Sequence, residues 1–280
     1  MGRGLAGLGV GAALLALAGT AQAQIVAPAG RTLFNRTVMI RSFVRIDNFA
    51  EGVPGRVRTI VNPYAVVWGA YPNLSLTFVA PLVTLQSESV NDPTRDFTTT
   101  SFADGAVFAR YDLLRKNVPR GYTRFSPEVG VKIPSGGAFS TGSTDVVGAL
   151  IFSHWRDPHA LIADTQFTFT TTGDDGLRVG NQWNYDVAYL YRLLPREGLG
   201  IPALYLVVEM NGAHARRARL NGTKLAASGG DLVFISPGVE FQPTSRLLLE
   251  FASPIPVGRD LNGDQLRPTS SFLLGVRWLF

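Results

Sequence analysis

The 280-residue sequence reads as an all-β protein: a transmembrane, antiparallel, up-and-down β-barrel of the outer-membrane type with about twelve strands. Three observations predict it. Apolar and polar side chains alternate with a period of two along a series of segments. The connections between segments alternate short and long, as when turns lie on one side of a membrane and loops on the other. The chain also ends SSFLLGVRWLF, where Phe272, Leu274, Val276, Trp278 and Phe280 share one parity. An apolar face thus runs to a terminus that soluble proteins usually leave frayed and polar.

The N-terminus carries Arg3, an apolar run from Leu5 to Ala18, and Ala21-Gln22-Ala23 before Gln24. This is the pattern of a secretory signal peptide with a small-x-small cleavage site. A run of about 14 residues is short of the roughly 20 that a spanning helix needs. Residues 1–23 are therefore read as a cleaved signal, 24–36 as an N-terminal periplasmic segment and 37–280 as the barrel, in the bacterial outer membrane. No later apolar run reaches helical spanning length. Only 17% of residues are charged, against about a quarter in soluble domains. Cysteine is absent, which excludes lipid attachment at a Cys, disulfides and thiolate metal sites. The net charge of +5, or +4 once Arg3 leaves with the signal, is too small to argue for nucleic acid.

The strands are expected at 37–48, 57–69, 73–85, 101–114, 122–134, 144–155, 159–172, 181–194, 202–213, 230–241, 245–257 and 269–280. Each is rich in Val, Phe, Tyr, Leu and Thr and bounded by Gly, Pro, Asn and Asp. An even number puts both ends on one side, the periplasm, together with the tight connections Ala70-Tyr71-Pro72, Lys116 to Gly121, Arg156-Asp157-Pro158, Pro195 to Gly200 and Gln242-Pro243-Thr244. Strand five sets Phe125, Pro127, Val129, Val131 and Ile133 against Arg124, Ser126, Glu128, Gly130 and Lys132. Strand eight sets Trp183, Tyr185, Val187, Tyr189 and Tyr191 against Asn184, Asp186, Ala188, Leu190 and Arg192. Strand nine sets Leu204, Leu206, Val208 and Met210 against Tyr205, Val207, Glu209 and Asn211. Strands two and six do not divide cleanly, and their register stays open.

Aromatic residues gather beside the short turns: Trp68, Tyr71, Tyr111, Tyr122, Trp155, Tyr191, Phe241, Trp278 and Phe280. Rings that tolerate one apolar and one wet end mark the membrane interface, so these residues form the expected girdle. The opposite parity then lines the lumen. It carries Arg41, Arg45, Arg110, Arg124, Lys132, Arg192, Arg246 and Arg277 opposite Asp47, Asp104, Asp112, Glu128, Asp164, Asp186, Glu209, Glu240 and Glu250. Two readings follow: these charges pair across strands and fill a narrow interior, or they line a polar path. About twelve strands lie between a filled barrel and a wide channel. For Glu209, with Asp186, Arg192 and Glu240 as neighbours, Arg192 or Arg110 is the expected cation partner.

Other chemistries are weaker. Lipid hydrolysis needs a Ser and a His on the lipid-facing surface. His154 and His159 flank a periplasmic turn, and His214 lies at the extracellular rim, while Ser228 and Ser236 on the next strand point inward. The loop HARRARLNGTK, with Arg216, Arg217, Arg219 and Lys224, is either a solvated basic loop or a holder of lipopolysaccharide anions. DLNGD, residues 260–264, lacks the spacing of a calcium loop and is read as a polar turn. No cofactor or metal site is expected.

The stretches VWGAYPNLSLTFVAPLV (67–83), FADGAVFARYDLL (102–114), FSPEVGVKIPSG (125–136), GNQWNYDVAYLYRL (180–193), LVVEMNG (206–212) and FISPGVEFQPTSRLLLEFASPIPV (234–257) resemble the outer-membrane barrel family labelled "MetA-pathway of phenol degradation". The resemblance covers most of the mature chain, and its most specific pieces are Ser236-Pro237-Gly238, Pro254-Ile255-Pro256-Val257 and Glu209. It implies a roughly twelve-stranded membrane barrel linked to transport. A channel or transporter for small solutes, with hydrophobic or aromatic compounds as candidates, is the resulting expectation. A non-conducting structural barrel is the alternative, and a lipid-modifying enzyme ranks below both. The expected partners are outer-membrane lipids and lipopolysaccharide, the barrel-assembly machinery acting on the C-terminal strand, and a small-molecule solute.

Overall fold

A computed structural model describes residues 36–50, 55–89, 94, 96–195 and 200–280. The signal peptide and all of the segment 24–36 except Arg36 lie outside the described residues. Twelve strand positions form one closed antiparallel barrel. They are β1 (Val38–Ala50), β2 (Gly55–Tyr71), β3 (Leu74–Ser89), β4 (Phe97–Phe102, Gly105–Tyr111 and Leu114–Val118), β5 (Gly121–Ile133), β6 (Asp145–Arg156), β7 (His159–Phe169), β8 (Gln182–Leu194), β9 (Ala203–Ala215), β10 (Gly230–Gln242), β11 (Leu247–Ala252 and Ile255–Leu261) and β12 (Arg267–Leu279). Each pairs with its sequence neighbours. The circle closes where β1 pairs with β12 from Met39↔Leu279 to Ala50↔Arg267. Closure leaves no edge strand, which a spanning sheet requires because lipid cannot satisfy open backbone groups.

The pieces of β4 and β11 are single strands broken where the backbone turns to other partners. At Ala103-Asp104 the Asp104 carboxylate accepts the backbone N–H of Ser135 and of Thr141, at 3.2 and 3.0 Å. At Ser253-Pro254 the proline has no N–H to give the ladder, and Ser253 N–H donates to Pro237 O at 3.0 Å instead. The short connections are 72–73, 119–120, 157–158 and 243–246; the long ones include 134–144, 170–181, 216–229 and 262–266.

The outward parity carries large apolar side chains. Val129, Val131 and Ile133 on β5, Leu206, Val208 and Met210 on β9, and Phe272, Leu274, Val276 and Trp278 on β12 are all exposed. Left in water, that surface would be far larger than a monomer's usual apolar patch; in a bilayer it faces its matching solvent. The open registers of β2 and β6 are settled by burial. Val57, Thr59 and Val61 point inward on β2, as do Asp145, Val147, Ala149, Ile151 and Ser153 on β6.

The interior of the barrel as the candidate functional site

Alternation fixes the interior: every second residue of each strand points in, and the closed wall hides it from lipid. Taken from the short-turn end, the inward side chains form successive levels.

The first level is charged and aromatic. Arg277 bridges Glu250 and Glu240, lying 3.5 Å from the latter, and Arg41 lies 3.4 Å from Glu250. Glu240 and Glu250 face each other directly in register, and the two arginines place positive charge beside the pair. Arg124 donates to Asp112 at 2.9 Å, and Ser126 Oγ donates to the other oxygen of Asp112 at 2.7 Å. Arg192, buried on the inward face, reaches Asp157 in the turn at 2.7 Å, where Arg120 meets the second oxygen at 2.7 Å.

Tyr122 and Trp155 belong to this level, and here the expectation of a girdle position is corrected. Both stand on the inward parity, with Arg124 and Ser153. Their rings stack at 6.4 Å, and Trp155 meets Tyr205 edge-on at 5.6 Å. Arg124 lies over Tyr122 and Arg192 over Tyr205, at 4.8 and 5.7 Å, which gives a cluster of cation–π contacts across the mouth. Trp68, Tyr71, Tyr111, Tyr191, Phe241, Trp278 and Phe280 are exposed on the outside. At the other end Phe167 and Trp183 stack outward at 5.8 Å, an aromatic pair that the alternation of strand eight only half announces. Arg246 is a second correction: it sits exposed in the 243–246 turn, because β11 begins at Leu247.

Above lies an apolar level. Phe43, Ala160, Ile162, Ala188, Leu190, Val207, Ala252 and Leu273 pack together, and Trp155 rests against them. A polar-in, apolar-out rule does not foresee it.

The middle level is charged again. Arg110 donates to Glu128 at 2.8 Å, and Arg45 to Asp47 at 2.9 Å. Arg45 also crosses the interior to lie 5.8 Å from the ring centroid of Phe234. Asp164 on β7 and Asp186 on β8 are in register with each other. Asn211 donates to Asp186 at 2.9 Å and to Glu209 at 3.5 Å, its own orientation fixed by Ser236, which donates to its carbonyl oxygen at 2.7 Å. The arginines expected beside Glu209 are thus engaged elsewhere, Arg192 with Asp157 and Arg110 with Glu128. Glu209 accepts from Asn211, in the polar chain that runs on to Asp186 and Ser236.

At the long-loop end, Lys132 binds Asp104 and Asp145 at 2.9 and 2.7 Å and donates to Thr141 at 2.5 Å. These contacts fold the 134–144 connection inward. Ala103 forms a parallel bridge with Phe139, and the Phe139 ring packs on Val61, Val83 and Ala103 and on the cluster of Phe49, Val57, Leu85, Leu232, Phe234 and Leu266. Beside this cluster a small open pocket is lined by Phe49, Val179, Ala213, Ala218, Leu232 and Leu266 among others.

The remaining sequence candidates do not converge. Ser228 Oγ donates to Leu225 O at 2.7 Å and Ser236 Oγ to Asn211, while His214 pairs with Asp231 at 2.8 Å on the outer rim. Asn262 of the DLNGD turn spends its side chain on Arg217 and on Ser228 O.

A closed, edge-free barrel with an apolar wall and a charged interior defines an outer-membrane β-barrel protein, located in the bacterial outer membrane. No family model and no curated protein matches the chain. Among solved structures it is similar to the COG4313 outer membrane channel from Pseudomonas putida F1, with a TM-score of 0.65 at 12% identity, over 90% of this chain and 98% of that one. The β domain of the Bordetella autotransporter Brka gives a TM-score of 0.49 at 11% identity, over 87% and 99% of the two chains. The CymD monoaromatic hydrocarbon channel gives 0.44 at 9% identity, over 88% of each. The first comparison supports the twelve-stranded fold that the family resemblance implied.

Proposed function

We propose that the protein is an outer-membrane channel for small solutes, with apolar and aromatic compounds as its preferred cargo. The observation that carries this reading is the apolar-lined pocket at the long-loop mouth, set above a charged interior. An apolar solute gains free energy on leaving water there. Arg41, Arg45, Arg110, Glu128, Lys132, Asp164, Asp186, Arg192, Glu209, Glu240, Glu250 and Arg277 then line the path below it. The name of the Pseudomonas channel and the resemblance to the phenol-degradation family support the same reading. Lipid hydrolysis is not favoured, since neither Ser228 nor Ser236 points its hydroxyl hydrogen at a histidine. Lipopolysaccharide contacts through Arg216, Arg217, Arg219 and Lys224, and handling of the C-terminal strand by the assembly machinery, complete the proposal.

A second reading has its own observation. The apolar level around Leu190 and the paired charges fill much of the interior, as a purely structural barrel would. Liposome uptake of phenol and toluene, with planar-bilayer conductance, separates the two. Uptake above protein-free vesicles that drops when Leu232→Glu charges the pocket supports the channel. Neither uptake nor current supports the structural barrel.

A further inference from the structure

The exposed charges of the barrel are divided between its two ends. Among the described residues every exposed Asp and Glu lies in a long connection or at the strand end beside one, Asp174, Asp175, Asp231 and Asp264 among them. The long-loop end thus mixes both signs. At the short-turn end the exposed ions among the described residues are basic: Arg36, Arg115, Lys116, Arg120, Arg156 and Arg246. Asp157 in the turn there is already engaged, with Arg192 and Arg120 on its two oxygens at 2.7 Å each.

Two of these cations share one patch of the outer wall. Register places Lys116 on β4 opposite Thr123 on β5, and Thr123 opposite His154 on β6. Nearer the turn, Arg156 on β6 is opposite His159 on β7, and His159 is opposite Tyr191 on β8. Residues directly opposite share a face, and this face is the outer one, since it continues through the exposed Phe152 and Leu161. Tyr191 belongs to the aromatic girdle, so the patch stands at the boundary of membrane and water. Among the described residues the side chains of Lys116 and Arg156 have no hydrogen-bond or ion-pair partner.

The two imidazoles of the patch are held in place. Thr123 Oγ1 lies 2.9 Å from His154 Nδ1, and Tyr189 OH lies 2.6 Å from His159 Nδ1. The His159 ring also leans on Tyr191, with centroids 5.3 Å apart. With each hydroxyl donating to the Nδ1 beside it, the ring hydrogen rests on Nε2 and points to an outside acceptor. Free cations, oriented N–H donors and an adjoining apolar wall match a ligand that has an anionic head and an apolar tail.

We propose that this patch binds the headgroup of an anionic phospholipid in the periplasm-facing leaflet. Lys116 and Arg156, with β5 between their strands, stand roughly 12 Å apart at the backbone, and their flexible stems close that gap from either side of one phosphate. His154 and His159 donate from Nε2 to its remaining oxygens, and the acyl chains lie along Phe152 and Leu161. A solvated basic face is the competing account, and it predicts no difference between these cations and others at the same end. The site depends on the barrel lying in a membrane and not on conduction, so it stands apart from the channel reading.

The test uses the full-length refolded barrel in phosphatidylcholine vesicles with and without phosphatidylglycerol, at equal ionic strength. A lipid that binds only the folded form raises its thermal midpoint. The expected result is a higher midpoint with phosphatidylglycerol, a gain lost in Lys116→Gln/Arg156→Gln and kept in Arg36→Gln/Arg246→Gln, which removes as much charge at the same end outside the patch. No gain, or equal losses in the two variants, overturns the site and leaves a solvated face. Inorganic phosphate that reproduces the gain in pure phosphatidylcholine also overturns it, because the ligand is then a free anion. Native mass spectrometry from detergent counts the retained phosphatidylglycerol directly. Lys116→Gln/Arg156→Gln is expected to weaken retention about thirtyfold, from about fivefold for each charge removed, and a change under about threefold overturns the site. Where the double variant does not fold, Arg156→Gln alone decides, with a loss of about fivefold expected and unchanged retention refuting the proposal.

Discussion

Replacing Arg277 with Met tests whether the short-turn level is dry. Its guanidinium stands between Glu250 and Glu240, and the three side chains are 11%, 0% and 4% exposed. Met fills similar volume, so the loss is electrostatic rather than a cavity. It leaves two carboxylates face to face, with Arg41 at 3.4 Å from one of them. Two like charges about 4 Å apart at an effective dielectric of about 20 repel by about 4 kcal/mol. Breaking a buried pair by removing one partner costs about 3–5 kcal/mol. The two routes agree, and about 4 kcal/mol is close to a thousandfold shift in the folding equilibrium. The assay is urea unfolding of the refolded barrel in vesicles, followed by tryptophan fluorescence. Adding Glu250→Gln to Arg277→Met restores most of the loss, because the repulsion goes with the charge. A loss under about 1 kcal/mol, the value of a solvated pair, would refute the reasoning and show that bulk water reaches this level.

Two further outcomes follow. A Cβ on Gly130 would lie 2.2 Å from Cδ1 of Phe108 and 2.9 Å from the Val107 carbonyl, so Gly130→Ala is expected to cost about 1–3 kcal/mol in the same assay, with part of it recovered by Phe108→Leu; no recovery would mean that the ring is not the obstacle. Phe139→Ala should remove the wedge of the 134–144 connection, costing about 2 kcal/mol and raising single-channel conductance, and an unchanged conductance would place that connection outside the solute path.

The strand series, the inward faces of β5, β8 and β9, and the outward apolar parity of β12 were legible because on those strands the two faces differ in polarity. Where the interior is itself apolar, the signal vanishes. β6 presents Val147, Ala149 and Ile151 inward and Val146, Leu150 and Phe152 outward, so neither face looks like the lumen. The same ambiguity misplaced Tyr122 and Trp155: an aromatic ring at a strand end suits an interfacial girdle and a plugged mouth equally, and only parity tells them apart. Ion-pair partners were less legible still. Asp157 lies in a two-residue turn, and its union with Arg192 depends on how the turn curls under the wall. Phe139 sits in a Gly- and Ser-rich connection whose inward fold rests on Asp104, 35 residues earlier.

The alternation of levels inside the wall has a kinetic consequence. In the channel proposed above, a solute descending from the pocket would meet apolar, charged, apolar and charged surroundings in turn, so no one chemical character is favoured throughout. Each boundary asks it to exchange one set of contacts for another, and it halts where its own character matches. Traffic of that kind is counted in residence times rather than in aperture. Its rate levels off as the outside concentration climbs, and two solutes with different preferred levels slow each other without ever competing for the same place.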